Sequence, residues 1–403
     1  MNALPLRIRV RAEQGAIVVQ AAAALLMLTA VSALVVDYGI QLLGRNQAQN
    51  TVDAAALAAA TALAFDGYVA DPANRTRVAD VAQTIASRNH VAGDAASLAV
   101  DASVFCNPTA DDPLNTRSAQ ACVQVTAYRD TAHGNAIASL FGPLTNVNAL
   151  SVSARAIAQA RVANATKCLR PIAIPDRWNE NAPPWTSAST FVPAAGDVYD
   201  PPELVAAGSG LALSADFGAP VTIKEGVLTT PAATIKPWRY LPIEIPGSVW
   251  GAGALRNNTV RCADAKVHFT DSVNIAAGDL HSNALEIIDG LNELITVKDP
   301  GAVWNPATKR VDNSCADLAV GRCAPISPRI LPMAVYDPKA LSDDSAGGLP
   351  ASIWVNNMVG FFVESVSGTD ITGYITTYPG LRDAGAGMLY DDSSFLRAPM
   401  LVQ

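Results

Sequence analysis

Twenty-one consecutive residues from Ala16 to Val36, AIVVQAAAALLMLTAVSALVV, carry no charge. No other feature of the chain constrains its architecture as strongly. As an α-helix this run is about 31 Å long at 1.5 Å per residue, close to the thickness of a bilayer's hydrocarbon core. Arg7, Arg9 and Arg11 precede it against a single acid, Glu13. Asp37 follows directly, and the next base is Arg45. Basic residues are retained on the cytoplasmic side. The asymmetry therefore predicts a cytoplasmic leader over 1–15, a transmembrane helix over 16–36, and everything beyond on the far side. The competing reading is a cleaved signal peptide, whose apolar core runs to about 7–15 residues before a small-x-small site. Ala30-Val31-Ser32 would serve as such a site. The run is longer than that core, however, and the sequence after it continues as a helix without a break, which favours a retained anchor.

At 403 residues, 50% hydrophobic and 16% charged, the chain has material for two or three packed domains. A net charge of −8 with scattered basic residues excludes nucleic acid as the expected partner. All six cysteines (Cys106, Cys122, Cys168, Cys262, Cys315 and Cys323) lie beyond the apolar run. An even number in an oxidising compartment reads as three disulfides. Proximity in sequence favours Cys106–Cys122 and Cys315–Cys323, which leaves Cys168–Cys262. Zinc is not indicated: there is no C-x-x-C, and His90, His133, His268 and His281 stand near no cysteine in ligand spacing.

Residues 37–65 are alanine-rich and free of proline. Alanine is the best helix former, and Ala48, Val52, Ala55, Ala59 and Ala62 recur on one face. One helix from Ala16 to Phe65 is predicted, its second half packing on a folded domain through small side chains. Gly39 and Gly44 are weak points, each costing roughly 1 kcal/mol relative to alanine. Asp71-Pro72 breaks the pattern, and Arg75–Asn89 reads as a second, amphipathic helix. Period-2 alternation predicts strands at Leu98–Val104 and Cys122–Tyr128, joined as a hairpin under Cys106–Cys122. Asn135–Phe141 reads as a short helical piece, and strand-like alternation resumes within Val147–Ala160. A long helix over a small antiparallel sheet is the plan of a pilin-like module.

Past about Asn164 prolines multiply, and Trp178, Trp185, Trp238, Trp250 and Trp304 appear. Extended segments are predicted at Val221–Leu228, Tyr240–Ile245, Lys266–Asp271, Ile330–Tyr336, Ile353–Glu364 and Ile371–Tyr378. Only Asn283–Leu294 reads clearly as a helix. The expected fold class is therefore α+β: a transmembrane helix continuing into a pilin-like helix-on-antiparallel-sheet module over 37–163, followed by a mostly β periplasmic domain over 164–403. The tryptophans suggest either carbohydrate stacking or, more simply, a core.

The N-terminal stretch resembles the module of TadG-like proteins of Flp/Tad pilus systems. The elements of the resemblance are Gly15 before the apolar helix, the exit Val36-Asp37-Tyr38-Gly39, the polar stretch Asn46–Asn50, and the run Asp53–Ala60. It continues more weakly in Leu140-Phe141-Gly142, Cys168–Asp176, Ser327–Asp337 and Gly360–Glu364. The resemblance implies Gly15, Asp37, Gly39 and Asp53 as family-motif positions. It also implies a non-enzymatic, single-pass protein of the bacterial inner membrane. Such a protein docks other Tad pilus or envelope proteins and pilin-like subunits, with an oligomer allowed for, and uses no cofactor. Two features depart from the pattern. Some TadG-like proteins carry a D-x-S-x-S metal site, but Asp343–Gly347 and Asp391–Phe395 both fail at the last position. True prepilins carry a Glu where Gln20 stands. An amide cannot make that charge pair, so Gln20 reads as a polar helix–helix contact within the membrane.

Motifs for catalysis are missing: there is no H-E-x-x-H, G-x-S-x-G or P-loop. Gly208-Ser209-Gly210 reads as a turn. Asp383, Asp391 and Asp392 read as exposed turn acids rather than calcium ligands. Two alternative functions follow: a pilus-associated adhesin or ligand-binding module, and a secreted hydrolase with a cleaved signal peptide.

Overall fold

The computed structural model describes residues 11–65, 72–101, 105–106, 120–142, 148–202, 208–228, 234–248, 251, 253–314, 326–345, 350–383, 387, 389–390 and 392–402. A single 55-residue helix, α1 (Arg11–Phe65), opens the fold. A second helix, α2 (Pro72–Ser87), turns back against it. The first sheet then begins with β1 (Ser97–Asp101), β2 (Phe105–Cys106), β3 (Gln120–Arg129) and β4 (Val152–Val162). These pair antiparallel, with β3 between β1 and β4.

The sequence shows why α1 lies on this sheet. Ala48, Val52, Ala55, Ala56, Ala59, Ala60 and Ala62 are buried, so the helix axis comes close to the strands. Val123, Val125 and Ala127 of β3 and Val152, Ala154, Ala156 and Ala158 of β4 meet them, alternating with outward residues as period 2 demands. Val78, Ala82 and Ala86 of α2 complete the cluster at helical spacing.

One expected element is different. Asn135–Phe141 does not form a helical piece. Ile137–Ala138 is instead a short strand paired with Ala149–Leu150. The Asn135 side chain explains the difference. Its Oδ1 accepts from the Asp130 amide at 2.9 Å, and its Nδ2 donates to the Tyr128 carbonyl and Ser97 Oγ at 3.0 Å each. An asparagine spent this way closes a turn rather than opening a helix.

The remaining chain builds a second, mixed sheet. Its strands are β5 (Ile172–Pro175), β6 (Pro220–Glu225), β7 (Arg239–Pro242), β8 (Ser272–Asn274), β9 (Ile330–Tyr336), β10 (Ser352–Ser367) and β11 (Asp370–Thr376). The spatial order is β8-β10-β9-β5-β7-β6-β11, and β11 also pairs with β10. Six strands thus close into a ring, because β10 is long enough to pair with β9 over its middle and with β11 over its end. Most neighbours are antiparallel, but β5–β9 and β6–β7 are parallel.

Alternation sorts this sheet's two faces. Ile172, Ile174, Leu331, Met333, Val335, Val359, Phe361 and Val363 face helix α3 (Leu280–Glu293), which presents Ala284, Ile287, Ile288 and Leu291. Asp279 caps that helix, accepting from the Ser282 amide at 2.8 Å. Ala173, Ala334, Tyr336, Ile353 and Val355 face the other way, into a separate cluster with Trp178 and Phe191. Besides α3, short helices stand at Leu213–Asp216, Ala254–Val260 and Pro338–Ser345, where the sequence signal is too brief to read.

The chain does not finish in its second sheet. Tyr378–Pro379 (β12) and Leu396–Val402 (β13) return to the first, giving the order β12-β13-β4-β3-β1. β13 runs antiparallel to β4, from Arg397 opposite Val162 to Val402 opposite Ile157. Residues far beyond the expected boundary at 164 therefore complete the sheet that carries α1. The architecture is α+β: one long, apolar N-terminal helix followed by a mostly β body.

Candidate functional site: the long helix and its seat

Helix α1 divides into two chemically distinct halves. From Ile17 to Val35 its large apolar side chains are all open, with Leu26 at 72% exposure. Gln20 lies on this open surface. Thr29 returns its hydroxyl to the Leu25 carbonyl at 2.7 Å, satisfying it inside the helix. By length and composition this is a segment able to cross a membrane. From Ala48 on, one face is buried against the sheet as described.

Between the halves, three devices fasten the helix. Asp37 is the first. Its carboxylate accepts from Ser139 Oγ at 2.5 Å, from the Leu140 amide at 2.8 Å and from the Phe141 amide at 3.3 Å. The Ser139 hydrogen bond is the main reason its pKa lies below the ordinary aspartate value, with the two amides adding to it against a partial desolvation. Gly44 is the second. A β-carbon there would lie 2.8 Å from Ile137 Cδ1, so this glycine lets the 137–141 segment approach the helix. Gly39, by contrast, has open space around it. The third device is the polar stretch one turn further on. Gln47 Oε1 accepts from the Ala92 amide at 2.7 Å, and Gln49 Nε2 donates to Asp53 at 2.8 Å and to the Arg155 carbonyl at 3.4 Å. Asp53 thus orients the glutamine that holds the sheet. Gly15 lies within the first turns of α1.

The cysteines fall as follows. Cys168 and Cys262 are bonded, with a Cα separation of 4.5 Å, tying the start of β5 to the end of Ala254–Val260. Cys122 is disulfide-bonded on β3. Cys106 lies on β2 opposite Gln120, and its side chain lies outside the described residues. Cys315 and Cys323 also lie outside them. Among the described residues no cysteine is free.

The polar residues weighed as ligands have structural partners. Asp383 pairs with Lys266 and with His268 Nε2 at 3.1 Å. Asp392 accepts from the Ser214 amide at 2.8 Å and from its hydroxyl at 2.7 Å, capping Leu213–Asp216. Asp391 lies outside the described residues. Ser209 is buried, with its Oγ accepting from the Asp200 amide at 2.9 Å, as a turn residue does. Asp343 pairs with Lys339 one turn away. Among the described residues no group of three or more His, Cys, Asp or Glu is placed to hold a metal.

One cluster was not foreseen. The segments Cys168–Asp176 and Ser327–Asp337 become the adjacent parallel strands β5 and β9, so Asp176 and Asp337 follow their neighbouring carboxyl ends. Asp176 is fully buried. It accepts from the Leu211 amide at 2.8 Å, the Arg177 amide at 2.9 Å and the Tyr199 hydroxyl at 3.0 Å. Asn356 Nδ2 links the Tyr199 hydroxyl at 3.2 Å to Asp337 at 3.5 Å. Burial raises the Asp176 pKa to about 6 despite these donors. The available signal was that both motif-like segments end in aspartate. Of the tryptophans, Trp178 and Trp304 are core residues, Trp185 packs edge-on against Trp178 and Trp238 edge-on against Trp185, and Trp354 is half exposed. Trp250 lies outside the described residues.

No curated protein and no solved structure matches the chain. Residues 15–62, the stretch of α1 that holds the open apolar surface, Asp37, Gly44 and Asp53, match the Tad family model, described as "Putative Flp pilus-assembly TadE/G-like".

Proposed function

We propose that this chain is a membrane-anchored, non-enzymatic component of Flp pilus assembly or of related secretion machinery. Residues 16–36 would cross the bacterial inner membrane once, with the N-terminus cytoplasmic. The module over 37–163 would be pilin-like, and the body would lie in the periplasm. It would act there by docking other envelope proteins or pilin-like subunits. One observation carries the reading: the family match covers the part of α1 that is both open and apolar and fastened to a folded sheet. A helix hydrophobic all round and unpartnered in its first half needs lipid or another helix around it. Among the described residues, Ser209, Asp343, Asp383 and Asp392 are instead engaged in a turn, a cap or an ion pair.

The test is genetic and topological. A deletion strain should lose surface Flp pili and regain them with the intact gene. A phosphatase fused after Phe65 should be active, and a cytoplasmic reporter fused there should not. Normal piliation without the protein, or a mature N-terminus near Ala33 in a soluble fraction, would overturn the proposal.

A further inference from the structure

We infer that the body has a second lipid contact besides the apolar helix: the segment Ser139–Phe141, which Asp37 holds against the periplasmic face of the inner membrane with Leu140 turned into the lipid interface. This inference rests on the reading that 16–36 spans the bilayer and names the surface that meets the headgroups.

The geometry fixes the level of this segment. Asp37 immediately follows the uncharged run, so its carboxylate lies at the edge of the hydrocarbon. The backbone amides of Leu140 and Phe141 bond directly to it. Leu140 therefore sits at the same height, yet its side chain is 64% exposed. Ile137 packs over Gly44, two helical turns farther along α1, on the same face as Asp37. The chain from Ile137 to Phe141 thus descends along α1 towards the membrane, pinned at both ends. An exposed leucine at the foot of such a descent meets lipid if the helix does.

The neighbouring helix surface agrees. Tyr38, Leu42 and Leu43 are open at 60%, 45% and 57% although they lie beyond the uncharged run. Leu42 stands six residues past Val36, about 9 Å along the axis and just beyond the roughly 5–8 Å that headgroups add to each side of the hydrocarbon core, and its side chain tilts back toward the helix N-terminus and that layer. Tyrosine favours that layer. Arg45 follows on the exposed side, where its stem can lie along the apolar surface and its guanidinium can reach phosphate. A bare carboxylate would be costly at this depth. The three donors from Ser139, Leu140 and Phe141 satisfy it, so the clamp serves the charge as well as the segment.

The experiment uses the full chain reconstituted in phosphatidylcholine vesicles. An environment-sensitive fluorophore is placed on Leu140→Cys, on Met27→Cys as the span control, and on Val303→Cys as the aqueous control. The label at 140 should show blue-shifted emission and quenching by lipids carrying a nitroxide high on the acyl chain. It should also lose most of the iodide quenching seen at 303. Adding Asp37→Ala should restore iodide access at 140 while leaving the label at 27 buried. A label at 27 quenched by lipid with a label at 140 as iodide-accessible as 303 would overturn this inference and leave the span standing. A label at 27 open to iodide would overturn both. An Asp37→Ala change with no effect at 140 would refute the clamp.

Discussion

Val52→Ala tests whether the second half of α1 is held by packing on the sheet. Val52 is fully buried among Val123, Val125 and the inward residues of β4. Losing two methyl-sized groups from burial costs about 1.6 kcal/mol at about 0.8 kcal/mol each. A residual void on the order of 40 Å³, at about 24 cal/mol per Å³, adds about 1 kcal/mol. Alanine's better helix propensity returns about 0.5 kcal/mol. The expected net loss is about 2 kcal/mol. The assay is urea unfolding of the full chain in detergent micelles, followed by helical circular dichroism. Thr61→Ala, at an exposed position of the same helix, serves as control and should stay within about 0.5 kcal/mol. A loss below about 0.5 kcal/mol for Val52→Ala would show that the helix is not seated on the sheet as described.

Three further outcomes are expected. Gly373→Ala should disrupt closure of the strand ring, because a β-carbon would collide with the Phe362 carbonyl oxygen and lie 2.8 Å from Phe361 Cζ. A melting experiment should show a loss of roughly 1–3 kcal/mol or more, and an unchanged melting temperature would refute the close approach. Removing the bridge with Cys168→Ala and Cys262→Ala frees a separation of 94 residues. In the chain-entropy model this costs up to about 4–5 kcal/mol, and the gap in melting temperature between wild type and variant should close when both are melted under reductant, which opens the Cys122 bridge in each. Asp176, raised by burial from 3.8 to about 6, binds its proton more tightly folded than unfolded. Its contribution is therefore fully present below pH 3.8 and is lost as pH rises to about 6, by about 3 kcal/mol. Unfolding measured from pH 4 to 7 should show this fall in the wild type and a flatter profile in Asp176→Asn.

What the sequence revealed depended on whether the signal was local. The helix ending at Phe65 was legible because alanine density and the absence of proline act over every turn. Strand β3 was legible because it alternates for several residues, and β9, β10 and β11 because each is an extended strand-like run. Asn135–Phe141 misled because apolar spacing alone does not show that Asn135 is committed to a turn. The ring was not legible. Its parallel pair β5–β9 joins Ile174 to Val335, and no short-range pattern connects segments so far apart. Within the site, Asp37 was visible as a motif position, but its work was not, since its three donors come from residues 139–141. Gly44 looked like a flaw in the helix. Its lack of a side chain is what admits Ile137.

The return of β13 to the first sheet changes how the helix is held. Were the sheet complete at β4, α1 would rest on a unit made from residues 37–163 alone. Instead β4 has β3 on one side and β13 on the other, and Thr377 donates its hydroxyl to the Ala64 carbonyl at 2.9 Å, at the end of α1 where such carbonyls lack helical partners. The C-terminal residues thus satisfy both an open strand edge and a helix terminus of the N-terminal unit. Such contacts close loops of well over two hundred residues. The helix fastened at Asp37 is therefore fastened at its far end by the body itself. The second sheet is thus joined to the helix through β12, β13 and Thr377 as well as through the chain that follows β4.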